Sequence, residues 1–226
     1  MISLSAPQYE DLARGCEIVE ADGFGPKVLR CPDGTMLKLF RRKRLLSSAL
    51  LFHYARRFAD NCRRLTELGV PSPTILALYR VAAIERDVVH YSPLPGNTVR
   101  QLIREGLAPG QEDALRTDLG QFVARLHGSG ILFRSLHLGN VVLTPSGTLG
   151  LIDVGDMGIR RGPLGESAIL RNFDHLGRYP DEWAWLERNS LFAHRYLECS
   201  RLTPRTREAA RAYLTAVSPT KAPREP

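Results

Sequence analysis

Two residues with side-chain oxygens bracket a short predicted hairpin in the middle of the chain. Asn140 ends the loop segment LHLGN, and Asp153 follows the predicted strands NVVLT and TLGLI, which the turn PSG joins. Amide and carboxylate oxygens are ligands that Mg²⁺ prefers, so the pair is a candidate metal site. Taken singly, each residue is more typical of a loop-capping amide or a turn carboxylate. Their combination with the hairpin and the preceding segment LHGSGI favours the metal site.

A lysine stands on an apolar strand face earlier in the chain. In the segment TMLKLF, Lys38 alternates with Met36 and Phe40, so all three side chains are predicted to face the same side of one strand. A lysine on an otherwise apolar face needs an anion as its partner. The alternative is a solvated lysine on an edge strand.

The segments LHGSGI, LHLGN and LIDVGD resemble a motif of the protein-kinase-like superfamily. The relatives carry approximately LHxxGIxHxDLHxGNxL, followed by a strand hairpin and IDxxD. The resemblance covers roughly residues 16–180 and is strongest to small bacterial branches: aminoglycoside phosphotransferases, RIO-type kinases and the Kdo and heptose kinases of the lipopolysaccharide core. It is closest to bacterial proteins labelled lipopolysaccharide-kinase-like or toluene tolerance.

The resemblance implies ATP and Mg²⁺ as cofactors, with Asn140 and Asp153 on the metal. It also implies that Lys38 contacts the nucleotide phosphates, since small residues and a strand lysine position phosphates in such proteins. Gly23-Phe24-Gly25 would be a reduced glycine loop over those phosphates. Tyr91, with the two residues that follow it, would form the hinge that contacts adenine. These nucleotide contacts are expectations from the resemblance.

The chain departs from the family pattern in the catalytic loop, where Phe133-Arg134-Ser135 replaces HxD. Ser135 therefore occupies the position of the catalytic aspartate, and Phe133 is expected to pack inside. A serine hydroxyl cannot act as a carboxylate base, and a general base contributes roughly 10²- to 10⁴-fold in rate. Asp156, the second acid of the IDxxD pattern, is the best candidate to substitute, whereas His137 is expected to have a structural role.

A second departure concerns the long predicted helix, which lacks the family's glutamate. Helical spacing puts Asn61 in the buried stripe with Tyr54 and Leu65, so Asn61 is the polar residue best placed to meet Lys38. An amide would give a neutral hydrogen bond in place of an ion pair, and would hold the lysine less firmly. An asparagine at the edge of the core that caps a turn explains the pattern equally well.

The elements that must position these residues predict an α+β class, and the resemblance implies a two-lobed protein-kinase-like fold. Residues 1–90 read as three antiparallel strands, a long helix from about Ser47 to Leu68, and two further strands. Residues 91–216 read as mainly helical, interrupted by the NVVLT and TLGLI hairpin. The nucleotide is expected between the two lobes. Proline and charge in residues 217–226 indicate a flexible tail.

Composition narrows the classes of protein and partner. With 226 residues, 43% of them hydrophobic and 24% charged, the chain is long and apolar enough to exclude a disordered protein. The formal net charge of +7 favours anionic partners, and the run Arg41 to Arg44 is either a solvated basic face or a contact for an anionic glycolipid or acidic phospholipid surface. Nucleic acid is disfavoured, because basic residues interleaved with aromatics are absent from the sequence. Four scattered cysteines indicate reduced thiols, and no apolar segment indicates a leader or a membrane span.

We therefore expect an ATP-dependent phosphotransferase that acts on a sugar hydroxyl, in the lipopolysaccharide core or in envelope maintenance. The expected location is cytoplasmic, with peripheral association at the inner face of the membrane. The competing hypothesis is a catalytically impaired pseudokinase, with Ser135 in place of the acid, that binds nucleotide or serves as a scaffold.

Overall fold

The structure, a computed structural model, describes residues 1–41 and 54–216. The protein is mixed α and β, with 49% of the described residues helical and 24% in strands, which confirms the α+β class. It divides into two compact units, Met1–Leu94 and Pro95–Pro226, whereas the predicted boundary is residue 90. The predicted flexible tail and the basic residues Arg42, Lys43 and Arg44 lie outside the described residues.

The first unit is built on a six-stranded sheet in the order β1-β5-β6-β4-β3-β2. Its strands are β1 (Ile2–Leu4), β2 (Glu17–Asp22), β3 (Gly25–Arg30), β4 (Met36–Arg41), β5 (Thr74–Val81) and β6 (Arg86–Ser92). The last five match the predicted segments, because alternating apolar residues and glycine or proline turns mark them in the sequence.

The sheet is mixed, whereas the predicted sheet is antiparallel; the predicted strands β2 to β6 do pair antiparallel with one another. β1 pairs in parallel with β5, with Ser3 opposite Arg80, and adds an edge that the sequence reading omitted. Helix α1 (Ala6–Leu12) follows and begins with a capping box, in which the Ser5 side chain accepts from the Gln8 amide and Gln8 reaches back to Ser5. A three-residue strand is too short to show a period of two, which is why β1 has no signal in the sequence.

The two faces of the sheet carry different groups. Leu37 and Leu39 of β4 lie in a buried cluster against which Tyr9 and Leu12 of α1 pack. Because side chains alternate along a strand, Lys38 lies on the opposite face, where its Nζ is 5.4 Å from the ring centre of Phe58. Helix α2 (Tyr54–Glu67), which carries Phe58, therefore covers the lysine face.

Helix α2 confirms most of the predicted apolar stripe. Phe58, Asn61, Cys62 and Leu65 are buried, while Tyr54, which the prediction placed in the stripe, is 44% exposed at the first described turn. The helix ends before Gly69, as predicted, and the amide of Val70 then donates to the carbonyl of Leu65. The predicted part of the helix that precedes Tyr54 lies outside the described residues.

The second unit is mainly helical, as predicted. Its helices are α3 (Val99–Glu105), α4 (Pro109–Gly128), α5 (Glu166–Leu176), α6 (Pro180–Glu187), α7 (Leu191–Cys199) and α8 (Pro204–Thr215). Its strands are β7 (Asn97–Thr98), β8 (Ile131–Phe133), β9 (Val141–Leu143), β10 (Leu149–Leu151) and β11 (Met157–Ile159). The hairpin β9–β10 was predicted, whereas β7, β8 and β11 were not.

These strands form two small sheets, β10-β9-β7 and β11-β8. The first sheet holds the start of α3 against the predicted hairpin β9–β10. The second sheet joins the strand before Ser135 to the strand after Asp156. None of the helices in the described ranges combines the length and the apolar character needed to cross a membrane.

Helices α4 and α7 approach closely at a glycine in the middle of α4. A Cβ atom on Gly120 would lie 2.5 Å from the carbonyl oxygen of Phe192 and 3.0 Å from the amide of Tyr196. Both neighbours are backbone atoms of α7, so they cannot move aside by changing rotamer. The absence of a side chain at this position therefore sets the distance between the two helices.

A comparison of two glycines in α4 tests this packing. Alanine has the better helix propensity, so Gly110→Ala, where a Cβ would meet nothing within 4 Å, is expected to raise the free energy of unfolding by about 0.5 kcal/mol. Gly120→Ala gains the same propensity but forces the helices apart, and is expected to lower that free energy by about 2 kcal/mol. Urea unfolding of both variants measures the difference. Equal effects of the two substitutions would contradict the close approach.

Candidate functional site

Two strand pairings bring the predicted site residues of the second unit together. β8 and β11 are antiparallel with Phe133 opposite Met157, which sets Ser135 beside Asp156 just beyond the paired residues. β9 and β10 are antiparallel with Val141 opposite Leu151. The amide of Ile152 then donates to the carbonyl of Asn140 over 3.0 Å, and this bond brings Asp153 to the same end of the hairpin as Asn140.

Ser135 and Asp156 are directly hydrogen-bonded. The Ser135 hydroxyl donates to Asp156 Oδ2 over 2.6 Å, a length typical of a hydroxyl bound to a carboxylate. The other carboxylate oxygen, Oδ1, is buried and meets no hydrogen-bond partner within the described ranges. Where the family pattern has an acid, the chain thus has a half-buried hydroxyl that contacts an acid from another segment.

Asn140 is bonded to the same serine. Its Nδ2 donates to the carbonyl of Ser135 over 2.9 Å, which fixes the orientation of the amide. Nδ2 also lies 3.3 Å from His137 Nε2, so Oδ1 is the amide atom that remains for a ligand. Asn140 is itself buried, so the loop holds this oxygen in place.

Asp153 stands at the end of the hairpin in an unusual backbone conformation. Its φ of 52° and ψ of 42° are left-handed, a region that costs most residues about 1 kcal/mol or more and that aspartate tolerates better than most. Its side chain is exposed. An exposed carboxylate and a fixed amide oxygen at the same end of one hairpin are donors of the kind that fit Mg²⁺, which takes few protein ligands and retains several waters.

Clusters of three or more His, Cys, Asp or Glu side chains that could hold a metal are absent from the described residues. The predicted pair is smaller than such a cluster, since it consists of one amide and one carboxylate. The pair Asn140 and Asp153 as metal ligands therefore stays a prediction.

His137 has a structural contact in the loop, as expected, and Arg100 and Glu182, which the sequence did not indicate, support the same loop. His137 Nδ1 accepts from the amide of Gly139 over 3.2 Å and lies 3.3 Å from a guanidinium nitrogen of Arg100. Arg100 forms an ion pair with Glu182, whose other oxygen accepts from the amide of Leu138 over 3.1 Å. Burial, and then the charge of Arg100, lowers the pKa of His137, so the ring is neutral and accepts through Nδ1.

A second missed group fixes the strand that precedes Ser135. Asn172 Nδ2 donates to the carbonyl of Phe133 over 2.7 Å, and its Oδ1 accepts from His127 Nε2 over 3.1 Å. The hydroxyl of Tyr196 lies 2.9 Å from His127 Nδ1 and donates to it. Phe133 is fully buried, as predicted. Asn172 and Tyr196 lie 45 and 69 residues from His127, so no local spacing in the sequence indicates them.

The predicted nucleotide-binding residues lie in the first unit. Tyr91 and Lys38 both contact the Phe58 ring, Tyr91 at 5.6 Å between ring centres, and Asn61 is buried one turn further along α2. Burial raises the pKa of Cys62, next to Asn61, to about 12, and the nearby charge of Lys38 opposes part of that rise. Lys38, Tyr91 and Asn61 therefore share the α2 side of the sheet, while a hydrogen bond between Lys38 and Asn61 stays a prediction.

The predicted glycine loop is the turn between β2 and β3. Gly25 has a φ of 104°, which only glycine adopts readily, and a Cβ on Gly23 or Gly25 would meet nothing within 4 Å. The turn is held by Arg86, which donates to the carbonyl of Phe24 over 2.9 Å, and by Arg41, whose guanidinium lies 3.5 Å from the Phe24 ring centre. Two cations thus hold the tip of an open turn, and Arg86 was not predicted.

The predicted nucleotide-binding residues lie in the first unit, and the predicted catalytic and metal-binding residues lie in the second. The first set is Gly23, Gly25, Lys38, Asn61 and Tyr91, and the second is Ser135, Asn140, Asp153 and Asp156. No protein-family model matches the chain, and no curated protein matches its sequence. Any function must therefore be argued from the residues and contacts themselves.

The buried His127 gives the second unit a defined dependence on pH. Burial lowers the pKa of His127 to about 4, against an ordinary value near 6.5, so the folded protein keeps the ring neutral where the unfolded chain protonates it. The free energy of unfolding contributed by this residue is fully present above pH 6.5. It is lost as the pH falls towards 4, by about 3 kcal/mol in all. Urea unfolding of the native protein at several pH values measures this loss.

Two histidine variants test whether His127 causes this loss of stability at low pH. His127→Gln cannot titrate, so its free energy of unfolding is expected to vary less between pH 6.5 and 4 than that of the native protein. The control is His194→Gln, which changes an exposed histidine of α7 and is expected to leave the native pH dependence intact. A His127→Gln protein with the native slope would show that this ring is not buried as a neutral base.

Proposed function

We propose that the protein is an ATP-dependent phosphotransferase with a two-lobed protein-kinase-like fold, and that its acceptor is a sugar hydroxyl. The observation that carries the proposal is the 2.6 Å hydrogen bond from Ser135 to Asp156. It supplies a carboxylate at the one loop position where the family pattern requires an acid and this sequence has none. Asn140, bonded to the same serine, adds a fixed amide oxygen beside it.

In this proposal the first unit binds the nucleotide and the second holds its metal. Lys38 and the Gly23–Gly25 turn would contact phosphates, Asn61 would orient Lys38, and Tyr91 would lie at the adenine. Asn140 Oδ1 and the Asp153 carboxylate would bind Mg²⁺, for which oxygen donors are suited. When bound, Mg-ATP supplies the phosphoryl group and offsets the charge that its transfer redistributes.

We assign proton transfer to the pair of Ser135 and Asp156. Asp156 Oδ1 is buried, and Oδ2 is covered by the serine, so an acceptor hydroxyl meets Ser135 Oγ first. Ser135 Oγ accepts the proton of the acceptor hydroxyl while its own proton passes to Asp156 Oδ2. The serine thus ends as it began, and the carboxyl group holds the proton. Such a relay replaces a direct general base.

A cavity in the second unit supports a sugar as the acceptor. Its volume is about 280 Å³, and it is lined by Arg100, Ile103, Arg104, Tyr179, Asp181 and Glu182. Tyr179 is partly exposed, with the Arg100 guanidinium 4.4 Å from its ring centre, and the charged lining residues can donate to or accept from hydroxyls. Glu182 also accepts from the amide of Leu138, so one wall of this cavity is hydrogen-bonded to the loop that carries Ser135 and Asn140.

Basic side chains support an anionic glycolipid as the source of that sugar. Arg30 is exposed on β3, and Arg56, Arg63 and Arg64 are exposed on α2. Each basic residue adds about 1 kcal/mol of attraction near an anionic membrane surface. Peripheral association with the inner face of the membrane, and an acceptor in the lipopolysaccharide core, follow as parts of the proposal.

A second candidate function has one observation in its favour. Because Ser135 occupies Oδ2 and Oδ1 is buried, both oxygens of Asp156 are shielded from a direct approach by an acceptor. A pseudokinase that binds nucleotide, or that serves as a scaffold in envelope maintenance, would have the same arrangement without proton transfer. The phosphotransferase would transfer phosphate to its acceptor, whereas the pseudokinase would not.

Calorimetric titration of ATP tests the nucleotide site. The native protein is expected to bind ATP only when Mg²⁺ is present, and Asp153→Ala is expected to weaken that binding about 100-fold because it removes a metal ligand. The matched control is Asp118→Ala, which removes an exposed carboxylate from α4 and should bind as the native protein does. If the native protein does not bind Mg-ATP, the proposed nucleotide site is wrong.

Turnover separates the phosphotransferase from the pseudokinase. With Mg-ATP and deacylated lipopolysaccharide core, the native protein is expected to transfer phosphate. Asp156→Asn and Ser135→Ala are each expected to lose about 10²-fold or more, since each breaks the proton relay. The readout is labelled phosphate in the oligosaccharide.

Ser135→Asp completes this comparison by restoring the family's acid. If the native protein transfers nothing and Ser135→Asp creates activity, the native chain is a pseudokinase. Native activity that survives Asp156→Asn unchanged would contradict the assigned relay and leave the transfer reaction standing.

A further inference from the structure

Two cysteine thiols touch at the base of the hairpin that carries the glycine turn. Cys16 Sγ and Cys31 Sγ are 2.8 Å apart, longer than a disulfide bond of about 2.05 Å, and both residues are thiols in the structure. Cys16 precedes β2 and Cys31 follows β3. The sequence shows only four scattered cysteines, and the hairpin brings these two together across 15 positions of chain.

The strand register gives the pair the geometry of a cross-strand bridge. Glu17 pairs with Arg30, so Cys16 and Cys31 are the next two residues opposite each other. Opposite residues of antiparallel strands have Cα atoms about 4.5–5.5 Å apart, which lies within the range of about 4.4–6.8 Å found for disulfides. The backbone therefore needs no rearrangement for a bond to form.

We propose that Cys16 and Cys31 form a reversible disulfide, and that a low-molecular-weight disulfide such as oxidised glutathione is the oxidant. This modification site is independent of the proposed phosphotransferase function. The other two cysteines do not form such a pair, since Cys62 is buried in α2 and Cys199 lies in the second unit.

The reaction takes place in two exchanges. The half-buried Cys16 meets the oxidant first, and its thiolate attacks one sulfur of the small disulfide, so that one small thiolate leaves. The buried Cys31 then attacks the Cys16 sulfur of the mixed disulfide as a thiolate, and the second small thiolate leaves. The two cysteines lose two protons and two electrons, and the oxidant is reduced to two thiols.

The surroundings of Cys16 make this reaction slow at neutral pH. Burial and the hydrogen bond to Cys31 raise the pKa of Cys16 to about 12, so the reactive thiolate is scarce. The rate is therefore expected to rise about tenfold for each unit of pH between 7 and 9. Proximity favours the second exchange, because Cys31 already lies against Cys16.

A disulfide at this position would link the exposed strand β2, which has no buried residue, to the buried cluster that contains Cys31. Every residue of β2 is exposed, and β2 lies at the edge of the sheet, bonded only to β3 in the six-strand order. Cys31 belongs to the buried cluster on which α1 packs, and Cys16 lies at its border. The disulfide would fasten the exposed edge strand, and with it the Gly23–Gly25 turn, to that core.

Mass mapping of the full chain tests the proposal. The protein is incubated with oxidised glutathione at pH 8, quenched in acid, alkylated and digested. The expected product is one peptide pair joined through Cys16 and Cys31, with the loss of two hydrogens from the intact chain and no bound glutathione at either residue. Dithiothreitol is expected to reverse both changes.

Thermal unfolding gives an independent readout. Oxidation is expected to raise the unfolding midpoint of the native protein by several degrees, because the bridge restricts the unfolded chain. Cys31→Ser should lose this rise and should retain glutathione on Cys16, while the control Cys199→Ser should behave as the native protein. Native protein in which Cys16 and Cys31 stay open to alkylation, or in which Cys16 keeps glutathione without closing to Cys31, overturns the proposal.

Discussion

The candidate site depends on the pairing of two three-residue strands, β8 and β11. Neither strand is long enough to be stable by itself, and their pairing is held by side chains that are wholly or nearly buried, Phe133 and Met157 among them. The bond from Asn172 to the Phe133 carbonyl adds a polar restraint from α5. If this pairing were lost, Ser135 and Asp156 would have no reason to meet, since 21 positions of chain separate them.

Two kinds of polar group surround this pairing, and they differ in charge. His127 is deeply buried and neutral, and each of its ring nitrogens has a partner, so it fixes Phe133 without placing a charge in the core. Arg100 and Glu182 are charged and lie nearer the surface, where their ion pair braces the loop through Leu138. Neutral groups thus fix the strand, and charged groups fix the loop that follows it.

The sequence predicts the long elements of this fold much better than the short ones. Strands β2 to β6 and the described part of helix α2 show alternation, helical spacing or proline and glycine turns, and the structure has them where predicted. Strands of two or three residues are too short to show a period: β9 and β10 were found through the proline and glycine turn between them, whereas β1 and β8 have no such turn and were missed. The parallel edge of the first sheet was missed for this reason, because it consists of the three residues of β1.

The same limit applies to the site. Ser135, Asn140 and Asp156 were recognised as residues within motifs, and the structure brings these three together. Arg100, Glu182 and Asn172 were missed because their contacts join distant segments, and no local pattern in the sequence records such contacts. For Lys38 and Asn61 the structure gives a shared face of the first unit, while their roles toward a nucleotide rest on the resemblance.

Ser135 stands at the position where the motif that the sequence resembles has an aspartate. A small residue without a hydroxyl at that position would give Asp156 no partner there. Instead, the serine makes a charge-assisted hydrogen bond, a kind that contributes about 1.5–3 kcal/mol, to an acid whose other oxygen is buried. Removing the hydroxyl would take away the partner of Oδ2 while the buried Oδ1 has none among the described residues, so Ser135 supports the loop whether or not a proton passes to Asp156. The bond that supports the loop is also the bond through which a proton would have to move, and in this site the structural role and the proposed chemical role belong to the same two atoms.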